Sequence, residues 1–483
     1  MAISDAQYQA WLSDDEAERL ILAEIKVYSG SSEVTRYVGS DYFNTGASDT
    51  PPNQAYNGVL SGSPFFTSRM AEMFSGRSFV SFGSLTFDNN DGELDSWIED
   101  SFDGRDITVK FGDPNWEIAD FRTVISGVCE KLIIQSDSEL ELVIRDRQRL
   151  LDRPIQETLI ASGPNADNVV PLCYGEVKNI TPVLIDDTTH EYQVHEGVIQ
   201  DITAVYEDGA ATALTVTKDL ANGKFTLSAA PSGALTCDVQ GDATGGYSAA
   251  LADIIERVVT REIASVDATA KAAFAIAAPY DCGLYIKDRE NLLDVLDSIS
   301  NGWYYGFTRS GAFVYAVLDE PASPVADIDN LETYNSLEVY KADTPTWRQR
   351  VGYEKNWTPN SDPASSVSEA HRAWIAEEFS KVEKYEDASV KTAHLSAQDP
   401  DVKPSIIKSQ ADAATEAQRL QTLYGVQRFL YRVQAFTAPY QIRIGDSITL
   451  YDDRYDLSAG KVCLVVGITE YLLDNKIEIE VWR

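Results

Sequence analysis

Residues Ser4–Glu18 carry a short acidic helical pattern with Ser4 at the cap position, and Leu20–Tyr28 then turns β-like. A turn at Gly30–Ser32 leads into Val34–Val38, so the chain opens as a hairpin. From Ser40 to Gly76 the text is rich in Asn, Gly, Ser, Pro and Tyr with little periodicity, which predicts a long functional or interface loop. Alternation returns at Phe79–Phe87, and three β-like runs fill Ile107–Ile144, the last two joined by the polar turn QSDS. Residues Ile180–Gly241 alternate between turn dipeptides such as Asp208-Gly209 and Asn222-Gly223, the pattern of a small all-β module. Helical spacing appears at Leu251, Ile254, Ile255 and Val258 behind Ser248, and at Leu292, Leu293, Leu296 and Ile299 between Asp288 and Gly302. A hairpin follows in WYYGFTRSGAFVYAVL, with its turn at Arg309–Gly311. Pro359–Glu369 reads as a linker, and Ser409 caps an amphipathic helix with Ala413, Ala417, Leu420 and Tyr424 on one face, ending at Gly425. Everything from Gln427 to Arg483 reads as strands.

Compared with itself, the chain echoes. Val109–Asp113 (VKFGD), Gly127–Ile133 (GVCEKLI) and Leu140–Arg145 (LELVIR) match Ile442–Asp446 (IRIGD), Gly467–Leu473 (GITEYLL) and Ile477–Arg483 (IEIEVWR) in order and polarity. The echo predicts a β-barrel or sandwich built twice, with a Gly-Asp turn, an entering strand and a returning hairpin. A duplicated domain lets a trimer present six similar units, matching a threefold object to a sixfold ring.

At 483 residues with 44% hydrophobic composition, the chain is long enough for about three domains with sizeable cores. Its 76 Asp and Glu against 40 Lys and Arg leave a formal charge of -36, which opposes sequence-specific nucleic-acid binding through phosphate neutralisation. No apolar run, Val462–Ile468 and Ala272–Ala278 included, approaches the ~18 residues of a membrane helix. The start MAISDAQYQAWLSDDEAERL lacks a basic and an apolar region, so a chain made in the cytoplasm is expected. Cys129, Cys173, Cys237, Cys282 and Cys463 are odd in number and include no CxxC, which argues for buried small hydrophobes and not for disulfides or a zinc site.

Candidate chemistry is sparse. Cys173 with His190 or His195 would suit a thiol protease only if brought together, and a strand cysteine is the plainer reading of PLCYGEV. The four histidines, His190, His195, His371 and His394, show no HxxxH or HExxH spacing. The cluster Asp88-Asn89-Asn90-Asp91-Gly92-Glu93-Leu94-Asp95 invites calcium, but aligning Gly92 with the EF-hand glycine puts Phe87 and Ile98 at ligand positions; an Asx-rich turn is the expectation. No Gly-rich phosphate cradle occurs. No catalytic residue, metal ligand or cofactor is therefore assigned.

Three passages resemble tail proteins of tailed bacteriophages of the baseplate or tail-tip hub type. They are Val169–Gly209 with Asn222–Asp242, the close IRIGDSITLYDDRYDLSAGKVCLVVGITEYLLDNKIEIEVWR, and ITVKFGD with GVCEKL and ELELVIRDRQRLLDRPI; the close is similar to the ends of long-tailed phage and gene-transfer-agent tail proteins. The resemblance implies a hub whose two tube-like β-barrels per subunit make a pseudo-sixfold ring beneath the tail tube. The expected fold class is mainly β with minor α/β parts: two tube-like β-barrel or sandwich domains plus inserted β and α/β modules. The expected division is 1–160 (tube-like, with loop 40–76), 161–247 (all-β), 248–325 (α/β) and 326–483 (tube-like, with helix 409–425). The function expected is non-enzymatic. A trimeric hub ring, or alternatively a hexameric distal tail adaptor, would join the tail tube to other baseplate and fibre proteins in the virion, after assembly in the host cytoplasm, and DNA would pass through it. A virion-borne cell-wall hydrolase is the enzymatic alternative. Acidic residues lining such a channel would repel DNA, while the same acidity also keeps a ring-forming chain soluble.

Overall fold

Strands outnumber helices throughout the computed structural model, which describes all residues except 1, 2, 15, 63, 64, 73, 74, 301, 330–336, 436–441 and 475. The chain folds into two compact units, one of Met1–Leu151, Trp303–Asp343 and Arg428–Arg483, the other of Asp152–Gly302 and Thr344–Gln427. The mainly β reading holds, and among the described residues the sheets are open, with no closed barrel.

The first unit contains the duplication. We label the strands of its first copy β1 (Ser84–Asp88), β2 (Asp106–Gly112), β3 (Arg122–Ser136) and β4 (Glu139–Arg145). Those of the second copy are β5 (Arg428–Ala435), β6 (Ser447–Leu450), β7 (Lys461–Tyr471) and β8 (Lys476–Trp482). Both copies are antiparallel with the same neighbours, β2-β3-β4-β1 and β6-β7-β8-β5. The registers agree as well. Cys129 faces Ile144 and Lys131 faces Val143, with Glu130 as a bulge residue; Val465 faces Val481 and Gly467 faces Glu480, with Val466 as the bulge residue. Leu85, Ile107, Val109, Cys129 and Leu142 form one core with neighbouring strands, and Val433, Ile448, Leu450, Val465 and Ile479, their register equivalents, form the other.

This correspondence differs from the sequence echo in its phase. Gly445 matches Gly104, eight residues from Gly112, and Gly467 matches Lys131, four residues from Gly127; only the final block, Leu140 with Ile477, keeps the alignment read from sequence. The eight-residue slip is even, which keeps the phase of a regular alternation, and the four-residue slip spans the bulge at Glu130, where the alternation changes face. The alternation that revealed the repeat is therefore blind to its offset.

The stretch 40–76 departs from the loop expectation. It carries the short strands Phe43–Asn44, Ala55–Gly58 and Leu60–Ser61 and most of a long hairpin, Phe65–Glu72 with Ser75–Phe82; residues 63, 64, 73 and 74 lie outside the described residues. Over 43–61 apolar residues fall irregularly because the strands are short and lie near the ends of their sheet, where no single buried face enforces alternation. The opening helix is Asp5–Leu12, capped by Ser4 in a reciprocal bond with Gln7, and its Tyr8 and Trp11 enter the first core.

In the second unit, Leu172–Ile180 pairs with Leu235–Asp242 and with Gly283–Ile286, and Leu235–Asp242 also pairs with Ile199–Glu207. A four-stranded sheet covers part of the same core through Tyr192, Phe225 and Leu227. Helices Leu251–Val259 and Leu292–Ile299 form where the spacing placed them; the second is capped by Asn291 and not by Asp288. Helix Gln410–Tyr424, capped by Ser409, packs on the hairpin Arg348–Tyr353/Lys381–Glu386. The stretch Pro359–Glu369 is no free linker: Ala364 N–H bonds the Asp208 carbonyl at 2.8 Å and Asn360 N–H the Ile375 carbonyl at 2.7 Å.

Candidate assembly interface

The duplicated strands converge on one local device, repeated in both copies. In the first, Arg105 N–H closes a β-turn on the Phe102 carbonyl at 3.1 Å; Gly104, with φ +71°, donates to the Cys129 carbonyl at 2.9 Å, and Cys129 N–H returns a bond to Arg105 at 2.8 Å. In the second, Asp446 closes on Arg443 at 3.1 Å; Gly445, with φ +90°, donates to Val465 at 2.8 Å, and Val465 N–H returns to Asp446 at 2.8 Å. A positive φ at the third turn position calls for glycine. Each turn thus clamps the strand residue immediately before the bulge, fixing where the hairpin β3/β4 or β7/β8 bends.

Beyond the bulge the two copies diverge at one edge. Strand β7 pairs with β6 over Lys461–Leu464, and the same edge then continues, Gly467 to Tyr471 pairing with Arg69 to Phe65 of the 65–72 strand. Thr469 and Thr67 hydroxyls meet at 3.0 Å, the Phe65 and Tyr471 rings lie 5.8 Å apart, and Arg309 pairs with Glu470 at 2.6 Å. Strand β3 pairs with β2 only as far as Val128; among the described residues no strand pairs with the same edge over Lys131–Gln135. Exposure follows: Leu132 is only half-buried, whereas its equivalent in the filled copy, Ile468, is buried at 5% exposure.

The residues considered for chemistry do not assemble into a site. Cys173 N–H donates to His195 Nδ1 at 3.0 Å, so that nitrogen is occupied by the backbone and does not face the thiol. Burial, reinforced by the Asp242 carboxylate, pushes the Cys173 thiol up, the reverse of what a nucleophile needs. Cys129 is pushed up to about 12 by burial, and all five cysteines are buried and free. His190 lies in a turn with φ +53°, His371 stacks 5.5 Å from Trp374, and His394 ends helix Ala388–Ala393. In the 88–95 cluster, Asp88 accepts from Asn90 N–H at 2.9 Å, Asp91 from Glu93 N–H at 3.1 Å and Asn89 from Leu94 N–H at 2.8 Å, so these oxygens serve Asx turns.

No protein-family model matches the chain, and no curated protein matches it. Solved structures do. The chain aligns over 96% of its length with 96% of a tail protein from Neisseria meningitidis MC58, at 12% identity and a TM-score of 0.37. It aligns over 96% of its length with 94% of the prophage tail protein gp18 from Listeria monocytogenes EGD-e, at 9% identity and a TM-score of 0.41. A chain of a native gene transfer agent particle matches 68% of this chain and 87% of its own, at 13% identity and a TM-score of 0.42. The solved structures to which this chain is similar include phage tail proteins.

Proposed function

We propose that the protein is a structural component of a phage tail tip or baseplate, a hub ring that joins the tail tube to fibre and tip proteins and forms part of the DNA-ejection channel. The observation that carries this reading is the duplicated four-stranded unit, matched strand for strand and at the bulge that follows Cys129 and Val465, within one chain. Three such chains supply six equivalent units, the number a sixfold tube requires of a threefold adaptor. The three sequence passages similar to hub-type tail proteins point the same way. The role is mechanical, and the buried, backbone-bonded state of Cys173 and His195 supports a non-enzymatic reading. With a charge of -36, acidic side chains facing the channel would let a duplex pass without adhesion.

Electron cryomicroscopy of the particle that carries this chain tests the proposal. Three copies at the distal end of the tail, each giving two adjacent units to one ring, is the expected result. Six copies, each occupying one position, would move the protein to a distal tail adaptor; absence from the particle would overturn the tail role. Clearing in a peptidoglycan zymogram would replace the structural reading by a hydrolase.

A further inference from the structure

We propose that the edge Lys131–Gln135 of β3 is an acceptor for a β-strand of a second copy of this chain. The two copies of the repeat provide the comparison. In the second, the residues equivalent to Lys131–Gln135 are Gly467–Tyr471, and that edge is closed by a hairpin of the same polypeptide. In the first, the same edge, after the same bulge and the same glycine turn, is open among the described residues.

An unpaired strand edge presents alternate N–H and C=O groups outward, and such rows bind extended segments through backbone bonds. The segment holds one charged residue, Lys131, and the half-buried Leu132 and the exposed Ile134 would be covered by a strand laid along it. The Gln135 side chain is turned toward Glu141 on β4, leaving the other edge to the backbone. A head-to-tail contact, in which a strand of one copy fills the edge of the next, is the heterologous kind that closes into a ring. This inference takes its occupant from the ring reading above and adds the surface through which the ring forms. The alternative is that Lys131 and the second bulge, between Ile134 and Ser136, guard the edge and keep it solvated.

Hydrogen exchange on the full-length chain, measured with native mass at dilute and at high protein concentration, separates these. The expected result is a multimer in which amides of Lys131–Gln135 exchange at least about tenfold more slowly than in the monomer, while Gly467–Tyr471, already covered, does not change. A multimer with unchanged exchange at 131–135 would overturn the inference and leave the ring intact by another surface. A chain that stays monomeric at every concentration would overturn the second-copy occupant, while its presence in tail particles would be decided separately by imaging.

Discussion

Two glycines at equivalent positions offer a controlled comparison of backbone and side-chain cost. Gly104 and Gly445 both hold a positive φ, but a methyl group at Gly104 would meet nothing within 4 Å, whereas at Gly445 it would lie 1.8 Å from the Tyr304 hydroxyl oxygen. Gly104→Ala should cost only the left-handed backbone penalty, about 1–2 kcal/mol. Gly445→Ala should cost more, since the Tyr304 side chain must also move; denaturant unfolding of the two variants checks the order. In the second unit Asp242 is the telling residue. Burial would raise its pKa, but His195, the Thr244 N–H and Arg257, whose Nη1 lies 2.8 Å away, together hold its carboxyl well below the usual range. A depressed folded pKa means stability that is present above the unfolded value of about 4 and is lost as pH falls through the lower folded value. Asp242→Asn should therefore lower stability near pH 7 by about 3 kcal/mol, leaving Arg257 underpaired. The gap between variant and wild type should narrow below about pH 4, as melting curves at pH 7 and pH 3 would record. None of this was legible in the sequence, where Asp242 was one of 76 acidic residues.

At the scale of elements, what could be read depended on how much of an element's definition is local. Helix Gln410–Tyr424 was readable at both ends because its Ser409 cap and its apolar spacing are sequence-adjacent. Its buried acid was not, because Arg419 is a neighbour on the helix but Tyr280 and Gly302, which complete the cluster, are remote. Glu416 accepts from Arg419 at 2.7 Å and from the Tyr280 hydroxyl at 2.9 Å, and Arg419 reaches the Gly302 carbonyl at 3.1 Å. Glu416→Gln should cost about 3 kcal/mol by leaving Arg419 without its counter-charge, and Ser409→Ala about 1 kcal/mol, both measured by denaturant unfolding. The hairpins show the converse. Their alternation announced a repeat, but the bulges at Glu130 and Val466 put Cys129 and Leu132 against one core and Val465 and Ile468 in the other, three positions apart where a regular strand needs two. A period-two pattern passes over such a slip, so alternation alone gives the repeat wrong offsets and leaves the shared turn glycines, Gly104 and Gly445, unaligned.

At the scale of the whole chain, the sequence suggested that length was spent on a duplication with insertions, and the structure makes the duplication geometric while dividing the polypeptide between two units. Segments far apart in sequence join the same unit through contacts such as Ala364 to Asp208, which no local pattern encodes. The charge of -36 acts at this scale too. Copies of so acidic a chain repel one another on approach, and the repulsion reaches about 30 Å at 0.01 M salt but only about 8 Å at 0.15 M. If copies meet by adding backbone bonds along a sheet edge, the attraction itself is nearly independent of salt and only the repulsion is screened. Self-association should then tighten as salt rises, with a several-fold lower dissociation constant at 0.15 M than at 0.01 M in sedimentation equilibrium. A nucleic-acid contact would show the opposite slope, because salt competes with counterion release. Association that weakens with salt would mean that complementary charges, and not an open strand edge, hold the copies together.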